Sequence, residues 1–360
     1  VRRDFPLADC TTLRVGGSAW GWARFFAPSD LEALADHADR CGRPLVVLGG
    51  GSNVLINDAG LDALVVSPAA EGYAFTGDAS GAVVRADAGV GWDALVAASV
   101  ERGFAGLEAL SGIPGQIGGA PIQNVGAYGA ELSDVLLEVQ VWDREDRVLR
   151  TLGRDACGFG YRTSRFKRED AGRFVILDVT LRLRRVRPEL RYPELARALD
   201  AMSDDPAVAV RQVRDTVLGI RRKKSMVLDD PSDPNGRSAG SFFTNPVLDA
   251  KTAAEVERRA TADAGPMPRF PQPDGRVKLS AAWLIERAGF GKGWSDGAVG
   301  TSSRHVLALV TRDGATAADV VHAAARIRAG VRDRFGVTLE PEPVFLGFDR
   351  PVPELLDAAL

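Results

Sequence analysis

Apolar positions along the chain recur with two different periods, and the change between them marks its parts. Leu31, Leu34, Ala35 and Ala38 fall on one face of a helix, with Ser29 or Asp30 placed to cap its start and Gly42 beyond its end. Trp92, Leu95, Val96, Ser99 and Val100 repeat that spacing and predict a second helix that stops at Gly103. Between the two lies PLVVLGGGSNVLI (44–56), an apolar run interrupted by three glycines, which predicts a buried strand, a tight loop and another extended segment. From Val135 to Val186 the period becomes two. There VLLEVQVWD, RVLRTL and RFVILDVTLRLRRV predict antiparallel sheet, with Val175, Leu177, Val179, Leu181 and Leu183 on one face. Pro193 ends the alternation ahead of a short helix. A longer helix follows through VAVRQVRDTVLGIRRKK and closes on four cations, Arg221 to Lys224, and 229–237 reads as a surface loop. Helix and strand then alternate to the final VTLEPEPVFLGF. The pattern predicts an α+β protein.

The glycines supply the first candidate chemistry. Without side chains at Gly49, Gly50 and Gly51, consecutive backbone N–H groups can converge on an anion, and Ser52 and Asn53 add donors. Val54 to Ile56 is extended where a dinucleotide-binding Rossmann turn would start a helix, and no Gly-Lys-Ser/Thr follows, so both the Rossmann turn and the P-loop are disfavoured. A structural tight turn and a phosphate cradle both fit these residues. A second glycine-rich stretch, SGIPGQIGGAPIQNVGAYGAE (111–131), is too broken for a long helix and suits backbone wrapped closely around a ligand. Two such loops suit a two-ended ligand.

Joined to GYRTSRFK (160–167), SAGSFFTNP (238–246) and LEPE (339–342), the two loops resemble, in order and over nearly the whole chain, the UDP-N-acetylenolpyruvoylglucosamine reductase family. The resemblance implies an α+β architecture in which a two-subdomain FAD-binding fold of the vanillyl-alcohol oxidase type (1–68 and 69–205) precedes a C-terminal α+β substrate-binding domain (206–350). It implies FAD bound without a covalent link, NADPH as co-substrate, and UDP-N-acetylglucosamine enolpyruvate as the substrate reduced to UDP-N-acetylmuramate for peptidoglycan. The cofactor residues it implies are Gly49, Gly50, Gly51, Ser52, Asn53, Ser111, Gly112, Pro114, Gly115, Gly118, Gly119, Asn124, Gly126, Ala127 and Tyr128. Arg162 corresponds to the arginine that binds the substrate carboxylate and steadies the enolate, a role that suits its planar, permanently charged fork. Ser241 matches the proton donor and Glu342 the catalytic glutamate, with Glu340 as its near neighbour. Tyr161, Tyr192, Lys224, Asn245 and Lys278 match substrate-binding positions, Tyr192 on a loop that closes over the uridine diphosphate.

Each of these residues also has a plainer reading. Arg165, Lys167 and Arg168 read as a solvated basic loop, Tyr192 can pack against the next helix, and Ser241 can be an ordinary turn residue. A flavin-linked oxidase on the same scaffold and a silent nucleotide-sugar binding protein remain the alternatives in function. Composition narrows the partners. The 360 residues are 45% hydrophobic and 26% charged with a formal net charge of -3, which recommends neither nucleic acid nor membrane. Cys10, Cys41 and Cys157 have no metal-ligand spacing and are read as reduced thiols, and His37, His305 and His322 are dispersed, so no metal site is expected. With no apolar leader or span in view, the expectation is a cytoplasmic monomer.

Overall fold

The computed structural model describes residues 1–199, 201–260 and 265–360. They form two compact units interleaved along the chain: 1–5, 19–51 and 62–229 in the first, 6–18, 52–61 and 230–360 in the second.

The first unit is built on a five-stranded antiparallel sheet in the order Val148–Gly153, Leu136–Asp143, Phe174–Arg184, Gly81–Asp87, Tyr73–Gly77. A four-stranded sheet carries Leu45–Val47 parallel to Leu61–Pro68. The long strand does not keep its five apolar residues on one face. Its pairing with Leu136–Asp143 slips between Gln140 and Val141, which oppose Asp178 and Ile176, so Leu177 is the extra residue of a bulge. A one-residue slip exchanges the faces. Val175 and Leu177 therefore pack on the cluster of Leu31, Leu45, Leu64 and Trp142, whereas Ile176, Val179, Leu181 and Leu183 join the core of Leu95, Val96, Val139 and Val141. On its other edge the strand keeps its register, and the Leu177 carbonyl accepts the N–H of Ala88 at 2.8 Å, one residue beyond the Asp178–Asp87 pair.

The first helix, Pro28–Arg40, has Ala27 as its N-cap, two residues before Ser29 and three before Asp30. Pro28 takes the first helical position, where its missing N–H costs nothing, and Asp30 accepts the N–H groups of Phe26 (2.9 Å) and Ala27 (3.1 Å) from inside the first turn. Trp92–Glu101 buries Trp92, Leu95, Val96, Ser99 and Val100, as their spacing requires. Trp92 is only 2% exposed, so truncating it to alanine costs roughly 3–5 kcal/mol. Pro206–Lys223 is capped by Asp205, which accepts from Ala207 at 2.8 Å.

The core of the second unit surrounds Ala317–Phe335, with Trp283 against Phe335 (centroids 5.6 Å) and Phe242 against Phe243 (5.3 Å). Asp58 holds the start of that helix, accepting from Ala317 at 2.8 Å and Ala318 at 2.9 Å. Val54–Ile56 runs parallel to Val344–Leu346, so the extended segment after the GGG loop joins the strand that follows LEPE. Cys41 and Cys157 are free thiols, and among the described residues no helix is long and apolar enough to cross a membrane.

Candidate active site

In the first unit the two glycine loops meet backbone to backbone. A side-chain carbon on Gly50 would lie 2.9 Å from Gly115 Cα, and one on Gly118 would lie 2.7 Å from Ala88 Cβ. Such distances exclude any larger residue without movement of the backbone. Gly51 and Gly112 are left-handed, with φ of +60° and +71°. Among the described residues the N–H groups of Gly49, Gly50 and Gly51 donate to no protein acceptor, and nothing lies within 4 Å of the side-chain position of Gly119. A loop pair with unspent donors and no side chains fits a pyrophosphate-bearing cofactor.

Other loop residues act inward. Ser111 is fully buried and donates its hydroxyl to Glu108 O (2.7 Å). The Asn124 amide donates to Glu131 (2.8 Å) and Gly160 O (3.2 Å) and accepts from Ser133 N (3.0 Å), which ties the second loop to the GYRT turn. That turn closes between Gly160 and Thr163 and holds Arg162 at φ +53°, a conformation uncommon for any residue with a Cβ and concentrated at functional positions. Its guanidinium donates to Gly126 O at 2.5 Å and its Cζ lies 5.4 Å from the Tyr161 ring. Pro114 is half-buried, and Ala127 pairs with Ala130 in a two-residue hairpin whose turn carries Tyr128.

Around that tyrosine the structure gathers residues far apart in sequence. Tyr128 meets Tyr192 edge to face at 5.6 Å, and Lys224 Nζ lies 6.0 Å from its ring. Tyr192 packs with Leu195, Val213 and Val217, and burial raises its phenol pKa. Lys224 is half-buried and paired with both oxygens of Glu194 (2.7 and 2.8 Å), whereas Lys223 is exposed. Burial pushes the Tyr128 phenol up to about 12, although Arg221 works against the shift. Arg221 was not singled out in the sequence because it sits in a basic run that the helix macrodipole explains. It is 6% exposed and donates to Met226 O (2.7 Å); burial lowers its pKa, and the electrostatic influence of Tyr128 works against that shift. The available signal was its position four residues after Val217, on the apolar face of its helix. Arg165 departs from the solvated-loop expectation: its Nε donates to Asp170 at 2.6 Å, and its Nη1 to Ala156 O at 2.9 Å.

In the second unit SAGSFFTNP runs beside LEPE. Glu342 N donates to Phe242 O (2.8 Å), Thr244 N to Glu340 O (3.0 Å), and Phe243 bridges Pro341. Ser241 follows Gly240, which is left-handed at φ +70°, and is half-buried, as is Glu342; Glu340 is exposed. Asn53 donates its amide to Glu342 O (3.3 Å) and accepts from Val344 N (2.9 Å), so Ser52 and Asn53 lie in the unit that carries Glu342. Asn245 accepts the N–H of Ala281 (2.9 Å) at the head of Ala281–Arg287. Lys278 stands on the strand Val277–Leu279, its Nζ 5.9 Å from the Phe270 ring.

Two family models match the chain: an FAD binding domain over residues 24–152, and the C-terminal domain of UDP-N-acetylenolpyruvoylglucosamine reductase over 230–346. A UDP-N-acetylenolpyruvoylglucosamine reductase of Thermobifida fusca is 49% identical over 352 residues, covering 96% of this chain and 98% of its own length. One of Saccharopolyspora erythraea is 48% identical and covers 94% of each. The crystal structure of the reductase from Thermus caldophilus superposes with a TM-score of 0.63 at 25% identity, over 95% of this chain and 97% of that one. With both family models matched and 48–49% identity over nearly the whole chain, the chain belongs to the UDP-N-acetylenolpyruvoylglucosamine reductase family of FAD-binding oxidoreductases.

Proposed function

We propose that the protein reduces UDP-N-acetylglucosamine enolpyruvate to UDP-N-acetylmuramate at the expense of NADPH, a step in the supply of peptidoglycan precursors. The observation that carries this reading is the hydrogen-bonded pairing of the Ser241 segment with the Glu342 segment, whose Thr244 and Glu340 are 96 positions apart in the chain. Family membership supports the reaction class.

FAD, when bound, supplies the hydride equivalent taken from NADPH and delivered to C3 of the enolpyruvyl group. The residues of this chain do the rest. Gly49, Gly50, Gly51, Gly115, Gly118, Gly119, Gly126 and Ala127 offer backbone to the cofactor; Ser52, Asn53, Pro114 and Tyr128 complete its contacts, and Ser111, Gly112 and Asn124 shape the loop from within. Arg162 holds the substrate carboxylate in its planar fork and offsets the charge that develops as C3 is reduced. Ser241 gives a proton to C2, and Glu342 steadies the enol-type intermediate. Lys224, Tyr161, Tyr192 and Lys278 bind the substrate, Lys224 matching its phosphate charge, while Asn245 lines the uridine site. Groups that stabilise transition-state charge in this way contribute about 3–4 kcal/mol each.

NADPH oxidation followed with and without the enolpyruvyl substrate tests the reading. Oxidation that requires the substrate supports it. An oxidase would turn over with oxygen alone, and a silent binder would retain the UDP-sugar without oxidising NADPH; either result overturns the proposal.

A further inference from the structure

The second glycine loop is fastened by two consecutive residues. Trp92 N donates to Gly115 O at 2.9 Å, the Trp92 indole donates to Leu110 O at 3.0 Å, and the Asp93 carboxylate accepts Gly112 N at 2.6 Å. The loop is thus held at its start, at left-handed Gly112 and at Gly115, the glycine that abuts Gly50. Asp93 does more than satisfy one N–H. It takes a parallel pair of bonds from Arg214 (2.7 and 2.8 Å), whose side chain is 15% exposed, on Pro206–Lys223. Burial works to raise the Asp93 pKa, but the Arg214 bonds, the Gly112 N–H and the charge of Arg214 outweigh it and the net shift is downward. The carboxylate is therefore kept ionised where the loop needs an acceptor. The same helix also packs the far side of the loop: a side-chain carbon on Gly112 would stand 2.9 Å from Leu218 and 3.3 Å from Arg221 Nε.

We infer that Asp93, oriented by Arg214, is a positioning residue for FAD: it fixes residues 110–115 against Gly50 and sets how tightly and in what orientation the flavin cofactor is held. The inference rests on the reading of this loop as part of the FAD cradle. An acidic residue in the first turn of Trp92–Glu101 would be favoured by the helix dipole alone. That explanation accounts for neither the Gly112 bond nor the bidentate arginine.

The test follows the holoenzyme, with FAD release measured on dilution by the rise of free-flavin fluorescence and flavin orientation by visible circular dichroism. Asp93→Asn keeps one acceptor oxygen but loses the ion pair, and should speed FAD release by about tenfold, the usual worth of a charged hydrogen bond. It should also change the visible dichroism. Arg214→Lys keeps the charge without the fork and should move both readouts in the same direction. Asp205→Ala, which removes the cap of the same helix, is the control for general destabilisation and should leave both unchanged. If Asp93→Asn matches Asp205→Ala in release rate and dichroism, the inference is overturned. Should Asp93→Asn fail to fold, an unaltered Arg214→Lys overturns it equally. Gly50→Ala separates the two readings: if it too leaves FAD release unchanged, the cradle assignment has failed rather than the role of Asp93.

Discussion

At the scale of single residues, the chemistry divides between groups whose type announces them and groups whose surroundings do. Ser241 and Glu342 are ordinary residue types marked by their motifs, and the structure adds that the backbones of those two motifs are hydrogen-bonded side by side. If Ser241 gives the C2 proton alone, Ser241→Ala should lose overall turnover by about 10²–10⁴, the usual worth of general acid catalysis, while stopped-flow reduction of bound FAD by NADPH stays near wild type. Equal loss in both half-reactions would assign the hydroxyl to the flavin environment instead. The two glutamates of LEPE differ in burial, Glu342 half-buried and Glu340 exposed with its carbonyl spent on Thr244. Glu342→Gln should reduce kcat strongly with FAD content unchanged, and Glu340→Gln should stay within a few-fold of wild type, as a position without a transition-state role does. A crippled Glu340 variant would shift the motif by two residues. Arg162 was legible through its motif, whereas its left-handed backbone, which aims the side chain, was not.

At the scale of elements, local patterns were read well where one face meets one core. The helix over Trp92–Glu101 buries the five residues its spacing selects. The reading failed at Phe174–Arg184, because a bulge at Leu177 is a property of pairing with another strand and leaves no mark in the alternation itself. The glycine loops show the same contrast: their composition signalled close approach, but that Gly50 abuts Gly115 depends on two elements being brought together. Gly50→Ala should therefore yield folded protein that loses FAD on gel filtration, read from the ratio of visible to ultraviolet absorbance; full retention would remove the cradle assignment. The sheet has its own test. Asp143 is fully buried between Arg173 and Arg150, and Arg173 above all holds its carboxyl well below the usual carboxylate range, against the opposing effect of burial. A depressed folded-state pKa gives stability that is complete above the unfolded value, about 4, and is lost as pH falls through the folded one. Asp143→Asn should lower the thermal midpoint at pH 7, and the gap from wild type should narrow progressively below pH 4. A constant gap would mean that the ion pair is not its source.

At the scale of the whole molecule, the histidines bear on how the cofactor is kept. His37 lies on Pro28–Arg40, and His305 and His322 belong to the second unit, so none stands in either glycine loop. Acid precipitation should leave the flavin in a yellow supernatant; colour retained in the pellet would establish a covalent bond. The compact units are interleaved along the chain, since 6–18 and 52–61 pack with residues beyond 229. The chain crosses from one unit to the other between Gly51 and Ser52, within a single motif. By itself the sequence determined the α+β class, the two glycine loops, the amphipathic helices and the five motifs of the family, because each is written in the spacing of neighbouring residues. Only the tertiary structure decided that Glu194 pairs with Lys224, that Arg221 turns inward to Tyr128, that Asp93 and Arg214 fasten Gly112, and that LEPE lies beside Ser241. Those outcomes depend on burial and on contacts between distant segments, and a periodicity of two or of 3.6 carries no information about which distant segment arrives.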